Sequence, residues 1–87
     1  MSIKVLTDEH LIELGKLASS QLITADQAWR IGMTCLRTDS REYRALCSAG
    51  KAAERSYRYL RLLAEGRGWS SEQSDEVFTV HGSWMWS

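Results

Sequence analysis

The pattern that most constrains the fold is a two-sided periodicity between residues 40 and 65. At about 100° per residue, apolar side chains fall in one arc of a helix and basic side chains fall in the opposite arc. The apolar arc contains Leu46, Ala49, Ala53, Tyr57, Leu60 and Ala64, and the basic arc, called the cationic stripe below, contains Arg41, Arg44, Lys51, Arg55 and Arg58. The sequence therefore predicts one long amphipathic helix whose cationic stripe faces solvent.

Local signals mark the ends of this helix. Asp39 and Glu42 form an Asp-x-x-Glu capping pattern, which predicts a start near Ser40. Gly66 and Gly68 can adopt the left-handed conformation that commonly ends a helix. The chain contains no proline, so no residue of that type interrupts the helix.

A first, shorter helix is predicted over about residues 8–20. Thr7 can accept a hydrogen bond from a free amide of the first turn, and the two acidic residues after it suit the positive end of the helix dipole. The side expected to be buried contains Leu11, Leu14, Leu17 and Ala18.

A second helix is predicted over about residues 25–37. Gly15 and the polar residues 19–21 weaken the preceding helical pattern, whereas Thr24 and Gln27 form a Thr-x-x-Gln capping box. The side expected to be buried contains Ala28, Trp29, Gly32, Met33, Cys35 and Leu36.

The C-terminal part is predicted to be a polar linker followed by a hairpin or a tail. Residues 70–76 are mostly polar or acidic, which is typical of a linker. In residues 77–87, two strand-like runs flank His81-Gly82, a spacing typical of a two-residue hairpin turn. Together these patterns predict a single domain over residues 1–87 that is mainly α, a compact three-helix domain with a short C-terminal β-hairpin or extended aromatic tail.

Two tryptophans near the C-terminus, Trp84 and Trp86, admit two interpretations. Large indole rings can cover the core of a small domain. Alternatively, the two rings form part of a recognition surface, because Trp is enriched among the residues that dominate binding energy. Their position at the end of the chain argues against complete burial of both.

Length and composition restrict the class of protein. Eighty-seven residues allow one hydrophobic core, and 44% hydrophobic with 25% charged residues is ordinary for a soluble domain. The N-terminal sequence lacks a signal-peptide pattern and no segment is long enough to span a bilayer, so we expect a cytoplasmic protein that makes no membrane contact. Cys35 and Cys47 lack zinc-site spacing and are expected to be reduced core residues; a disulfide would need a sharp turn at residues 38–40.

Charge is segregated along the chain, although the formal net charge is zero. All eight arginines lie between Arg30 and Arg67, and in that region nine cations stand against four acids. The segments before and after it carry an excess of acids. The central region therefore carries a net charge of +5 in an otherwise acidic chain.

Neighbouring cations on the predicted helix repel one another. Lys51 and Arg55 at i,i+4 cost about 0.2–0.5 kcal/mol in an isolated helix, and so do Arg41 and Arg44 at i,i+3. Two attractive i,i+4 pairs are expected to neutralise part of the charge: Glu54 with Arg58, and Arg61 with Glu65. The remaining repulsion suggests that an anionic partner faces the stripe.

An acidic protein surface is the favoured partner. Guanidinium groups bind carboxylates bidentately and stack on aromatic rings, and Arg and Tyr are enriched at interface hot spots. Tyr59 and Leu62 are therefore expected to form an anchor cluster among Arg55, Arg58 and Arg61. The acidic segment 72–76 could instead fold back on the stripe, or reach the stripe of a second copy in a homodimer.

A nucleic acid is the alternative partner, and the chain would then be a small helical nucleic-acid-binding protein or a transcriptional regulator. The stripe would contact phosphates, and binding would fall steeply with salt. Zero net charge and the acidic C-terminal segment oppose this. Ala28, Gly32 and Met33 imitate the centre of a helix-turn-helix, but Thr38 and Arg41 stand where that motif needs buried apolar side chains.

No catalytic, cofactor or metal site is expected. The sequence contains no Gly-rich phosphate loop, HExxH or GxSxG motif, and His10 and His81 lie in different segments. We therefore expect a non-enzymatic protein-binding module. Small helical proteins with segregated charge are a common form of inhibitors and adaptors encoded by phages and other mobile elements.

Overall fold

The computed structural model describes residues 5–80, and all regular secondary structure in that range is helical. Helix α1 spans Asp8–Cys35, α2 spans Arg41–Gly66 and α3 spans Ser71–Val77. The start of α1 lies beside the end of α2, where Arg67 pairs with Asp8, so the two long helices form an antiparallel hairpin. The α3 segment packs against one side of that hairpin. The mainly α prediction is thus confirmed.

The first two predicted helices are a single helix, so the predicted break near residues 19–24 is wrong. One side of α1 stays buried through this region, from Leu11 to Trp29. Ser19 is tolerated inside because its hydroxyl lies 2.9 Å from the carbonyl oxygens of both Gly15 and Val77. Thr24 is an exposed residue within the helix and not its cap. The continuous burial of one side of α1 and the hydrogen bonds of Ser19 therefore outweigh the capping signal at Thr24.

Five residues predicted to be buried are exposed in the structure. They are Leu14, Leu17, Met33, Cys35 and Ala49. The reason is that α3 covers only one side of the hairpin, against the second half of α2 and the first half of α1. Leu14 and Leu17 face away from it, and Met33 lies about five turns beyond Gly15 along α1.

The ends of α2 are nearly as predicted. Ser40, one residue after the expected capping position, accepts a hydrogen bond from the Tyr43 amide at 3.1 Å. After the helix ends at Gly66, Gly68 adopts a positive φ of 87°. The amides of Gly68 and Trp69 then donate to carbonyls in the last turn of α2, which is the hydrogen-bond pattern of a Schellman motif.

The predicted polar linker at residues 70–76 is wrong, because this segment forms α3. Ser70 and Gln73 make a reciprocal capping box, with the Gln73 amide donating to the Ser70 hydroxyl at 3.2 Å and the Ser70 amide donating to the Gln73 side chain at 3.0 Å. Val77 is the last helical residue and Phe78 is the cap, so the predicted strand at 77–80 is not formed. The second predicted strand lies in residues 81–87, outside the described residues.

Phe78 lies at the centre of the core and is 0% exposed. Its ring meets the ring of Tyr57 edge-on, with the centroids 5.5 Å apart and the planes at 82°. On α1 it faces Gly15, where a Cβ would overlap Val77 Cγ1 and lie 3.0 Å from Phe78 Cζ. The missing side chain at Gly15 therefore makes the space that Val77 and Phe78 fill.

Substituting Gly15→Ala tests this packing. An alanine raises helix propensity by about 1 kcal/mol, but overpacking typically costs about 1–3 kcal/mol. We expect the free energy of unfolding to fall by about 1 kcal/mol, which lowers the melting temperature by about 4–8 °C. The matched control is Gly66→Ala, because a Cβ there meets nothing within 4 Å. Equal or higher stability of the Gly15→Ala variant in urea unfolding would contradict the packing argument.

Tyr57 ties the end of the described chain to α2. Its hydroxyl donates to the Val80 carbonyl at 2.7 Å and accepts from the Val80 amide at 3.1 Å. Burial raises the pKa of this hydroxyl above its ordinary value of 10.0, although the hydrogen bond to Val80 acts in the opposite direction. A raised pKa in the folded state contributes stability below the unfolded pKa, and that stability is lost as the pH rises above about 10.

Tyr57→Phe should therefore lower the free energy of unfolding by about 1–2 kcal/mol at neutral pH, since both polar groups of Val80 lose their partner. It should also reduce the additional loss of stability between about pH 8 and pH 10.5, because the titrating hydroxyl is gone. Urea unfolding at the two pH values measures both effects. Tyr59→Phe, at an exposed tyrosine, is the control and should change neither. Identical alkaline losses in wild type and Tyr57→Phe would refute the assignment.

Candidate functional site

The cationic stripe lies along the outer side of α2. All five of its residues are exposed, whereas Tyr57 and Ala64 on the other side of the helix are buried. The apolar side of α2 packs on α1 and α3, and the helical period then turns the basic side to solvent. The orientation predicted from the sequence is confirmed.

Only part of the stripe is neutralised inside the molecule. Arg58 pairs with Glu54 at 2.6 Å, as the i,i+4 spacing predicted. The guanidinium of Arg44 donates to the backbone carbonyl of Asp39 at 2.8 Å, which satisfies a donor but leaves its charge uncompensated. Within residues 5–80, the other three cations of the stripe make no ion pair; these are Arg41, Lys51 and Arg55.

A shallow depression of about 260 Å³ lies in the middle of the stripe. It is lined by Lys51, Glu54, Arg55, Arg58 and Tyr59. The side chain of Glu54 is 13% exposed and pairs with Arg58, so the single acid lies beneath the cations. Tyr59 offers an apolar ring that is 64% exposed. The depression therefore presents two uncompensated cations and an aromatic surface to solvent.

The predicted anchor cluster forms only in part. Tyr59 and Leu62 are exposed, as their departure from the apolar arc implied. Arg61 is half-buried and is engaged by two acids, Glu65 at 3.8 Å and Asp75 of α3 at 3.6 Å. The acidic segment 72–76 thus folds back on α2, but it reaches Arg61 and not an uncompensated cation of the stripe.

Two other predicted features differ in the structure or lie beyond it. Cys35 is exposed and Cys47 is half-buried, and both are free thiols, so the expectation that both are core residues holds only for Cys47, which packs against the core. Trp84 and Trp86 lie outside the described residues, and both interpretations of them stay predictions.

The helix-turn-helix imitation has no structural counterpart in residues 5–80. Ala28, Gly32 and Met33 all lie within the continuous helix α1, so the turn that the motif needs is absent from this position. Gly32 serves packing instead, because a Cβ there would overlap a methyl group of Leu46 on α2. The glycine allows the two long helices to approach near their connection.

Among residues 5–80, no group of three or more His, Cys, Asp or Glu side chains could hold a metal ion. None of the three described helices combines the length and apolar character needed to cross a membrane. Comparisons of this chain with family models, curated proteins and solved structures return no match.

Arg41 illustrates that the stripe is not optimised for stability. It is the first residue of α2, where the positive end of the helix dipole disfavours a cation, and it lies at i,i+3 from Arg44. We expect Arg41→Glu to raise the free energy of unfolding by about 0.5–1 kcal/mol at low ionic strength, because both interactions become attractive.

Urea unfolding at low and high salt measures this change. Arg41→Gln is the neutral control and should give about half the gain, since it removes the repulsion without adding attraction. The gain should shrink at high salt because exposed charges are screened. Unchanged or lower stability of Arg41→Glu would show that the cation has a stabilising role in the fold.

Proposed function

We propose that this chain is a non-enzymatic protein-binding module that occupies an acidic surface of another protein with its cationic stripe. The observation that carries the proposal is the pair Lys51 and Arg55. The two cations are exposed, stand one helical turn apart and have no ion pair within residues 5–80. An acidic partner would supply the counter-charges that this part of the chain does not.

The energetics favour a protein partner with carboxylates. A carboxylate bound at the depression would relieve the repulsion between Lys51 and Arg55, and the guanidinium fork can hold it bidentately. Tyr59 adds apolar contact area at low entropic cost, which is the role that Tyr often has in interfaces. Charge would then steer the encounter, and the ring would contribute to the lifetime of the complex.

The position of the stripe suits an inhibitor or adaptor. It lies on a helix of 26 residues held by the core on its opposite side, so its cations are presented on a rigid support. A module of this kind acts by covering or bridging a surface and needs no catalytic group. Small proteins of phages and other mobile elements commonly act in this way, and we extend the proposal to that class of role.

A double charge reversal, Lys51→Glu with Arg55→Glu, tests the proposal. The immobilised chain is exposed to a lysate of the cells that encode it, with and without nuclease treatment, and captured proteins are identified by mass spectrometry. We expect the variant to lose at least about tenfold in capture of the partner, equivalent to about 1.4 kcal/mol. Capture by the wild-type chain should also weaken as salt rises.

The matched control reverses two cations outside the stripe, Lys16→Glu with Arg37→Glu. Both side chains are exposed, and the net change in charge is the same. This control should keep the capture, and circular dichroism should show equal helicity in both variants. Equal capture by the stripe variant and the wild type would refute the proposal. Capture that disappears with nuclease would assign the stripe to a nucleic acid instead.

A further inference from the structure

The side of the helical hairpin opposite α3 carries a second surface, the open groove, between α1 and α2. On α1, Gly15 faces Val77 and Phe78, whereas Leu17 lies about 200° further round the helix. Leu17 is 62% exposed. The groove has a volume of about 650 Å³. Its lining includes Leu17, Thr24 and Ala28 from α1 and Ala49, Ala52 and Ser56 from α2.

Most of the lining side chains are alanines and serines, and the larger ones are Leu17, Gln21 and Thr24. Alanine and serine side chains leave room for another backbone to approach, which is how helices pack at short distances. Beyond Leu17, the apolar surface continues over Leu14 toward Val5 and Leu6, where a further depression of about 400 Å³ lies. The exposed Leu14 and Leu17 and the half-buried Ala28 recur at helical spacing, so the surface runs parallel to α1.

The two rims of the groove differ in charge. On α2, Arg55 and Tyr59 lie beside the groove lining, at i,i+3 from Ala52 and Ser56. Lys51 lies further round the helix, at i,i+4 from Arg55, and extends the same cationic edge. On α1, the segment from Leu17 to Ala28 contains one charged residue, Asp26, which is paired with Arg30 at 2.9 Å. The groove therefore has one cationic rim and one uncharged rim.

We propose that the open groove receives an amphipathic α-helix of the acidic partner, with its apolar face on the groove and its acidic flank against Lys51 and Arg55. This inference rests on the proposed function and specifies the partner. Both walls are helices whose backbone groups are already paired, so an extended peptide would find no backbone partners there. A helix satisfies its own backbone and brings only side chains to the surface.

The dimensions and charges select this occupant over a second copy of the chain. The lining from Leu17 to Ala28 spans about 16 Å, which matches about three turns of helix. A second copy that used the same groove would present its own cationic rim on one flank and an uncharged rim on the other. It would offer one exposed acid beside the groove, Glu13, to the two cations Lys51 and Arg55, whereas a partner with an acidic flank supplies a carboxylate for each.

Three synthetic 18-residue peptides provide the test. The first is an amphipathic helix with an Ala/Leu face and glutamates along one flank. In the second, lysines replace the glutamates, and in the third, two central prolines break the helix of the first. We expect the first peptide to bind with a dissociation constant below about 1 mM, to gain helicity and to shift the methyl NMR signals of Ala28 and Ala52. The other two peptides should bind at least tenfold more weakly.

Two variants of the full chain locate the binding. Ala52→Gln fills the groove with a good helix former and should weaken binding of the first peptide at least tenfold. Ser71→Gln introduces the same side chain at an exposed residue of α3, on the opposite side of the hairpin, and binding should stay within twofold. Retained helicity of both variants by circular dichroism excludes unfolding as the cause.

The alternative outcomes overturn the inference in distinguishable ways. Equal binding of the helical and the proline peptides, unaffected by Ala52→Gln, would mean that the stripe binds acids without the groove, and the proposed function would stand. A dimer of the wild-type chain that Ala52→Gln dissociates would assign the groove to a second copy. If no peptide binds, the helix-in-groove inference fails, and the lysate capture experiment still decides the proposed function independently.

Discussion

The fit of Phe78 against Gly15 determines the arrangement of the described chain. Two helices alone cannot enclose a core, and the fully buried Phe78, with Val77, closes the core from one side. This closure depends on the absence of a side chain at Gly15, because a Cβ there would occupy the space of Val77. Ser19 and Tyr57 then bond to the backbone of the same segment, at Val77 and Val80. The apolar packing of Val77 and Phe78 and the hydrogen bonds from Ser19 and Tyr57 thus hold the same segment, residues 77–80, against the hairpin.

Because α3 covers one side of the hairpin, the other sides stay exposed and are available for binding. The short α3 segment follows α2 closely, through a tight Schellman turn, and reaches only the adjacent side of the helical pair. The opposite side keeps exposed leucines and alanines that a larger domain would bury. The small residues there, and the basic residues beside them on α2, form the open groove with its cationic rim. The candidate binding surfaces are therefore consequences of how little of the hairpin α3 can cover.

Local capping signals and helical periodicity are sufficient to predict α2 and the exposure of its cationic stripe. The apolar arc, the start near Ser40 and the glycine stop at Gly68 all act within a few residues or one helical face, so the sequence displays them directly. The continuity of α1 was not predictable in this way, because Ser19 is satisfied by Val77, 58 residues away. The strand-like composition of Val77 and Phe78 favours a hairpin, but the capping box of Ser70 and Gln73 starts α3, so Val77 ends that helix and Phe78 caps it.

In the candidate site, too, some contacts follow from local sequence spacing and others depend on how distant segments pack. The pairs Glu54–Arg58 and Arg61–Glu65 follow from i,i+4 spacing, and both are present. The contact of Asp75 with Arg61 depends on where α3 docks, which sequence periodicity does not specify. That contact matters for the site because it attaches an acid of α3 to the half-buried Arg61, on the core side of α2. Asp75 is thereby paired on the core side of α2 and not with Lys51 or Arg55, so the same docking that completes the core leaves these two outer cations available to a partner.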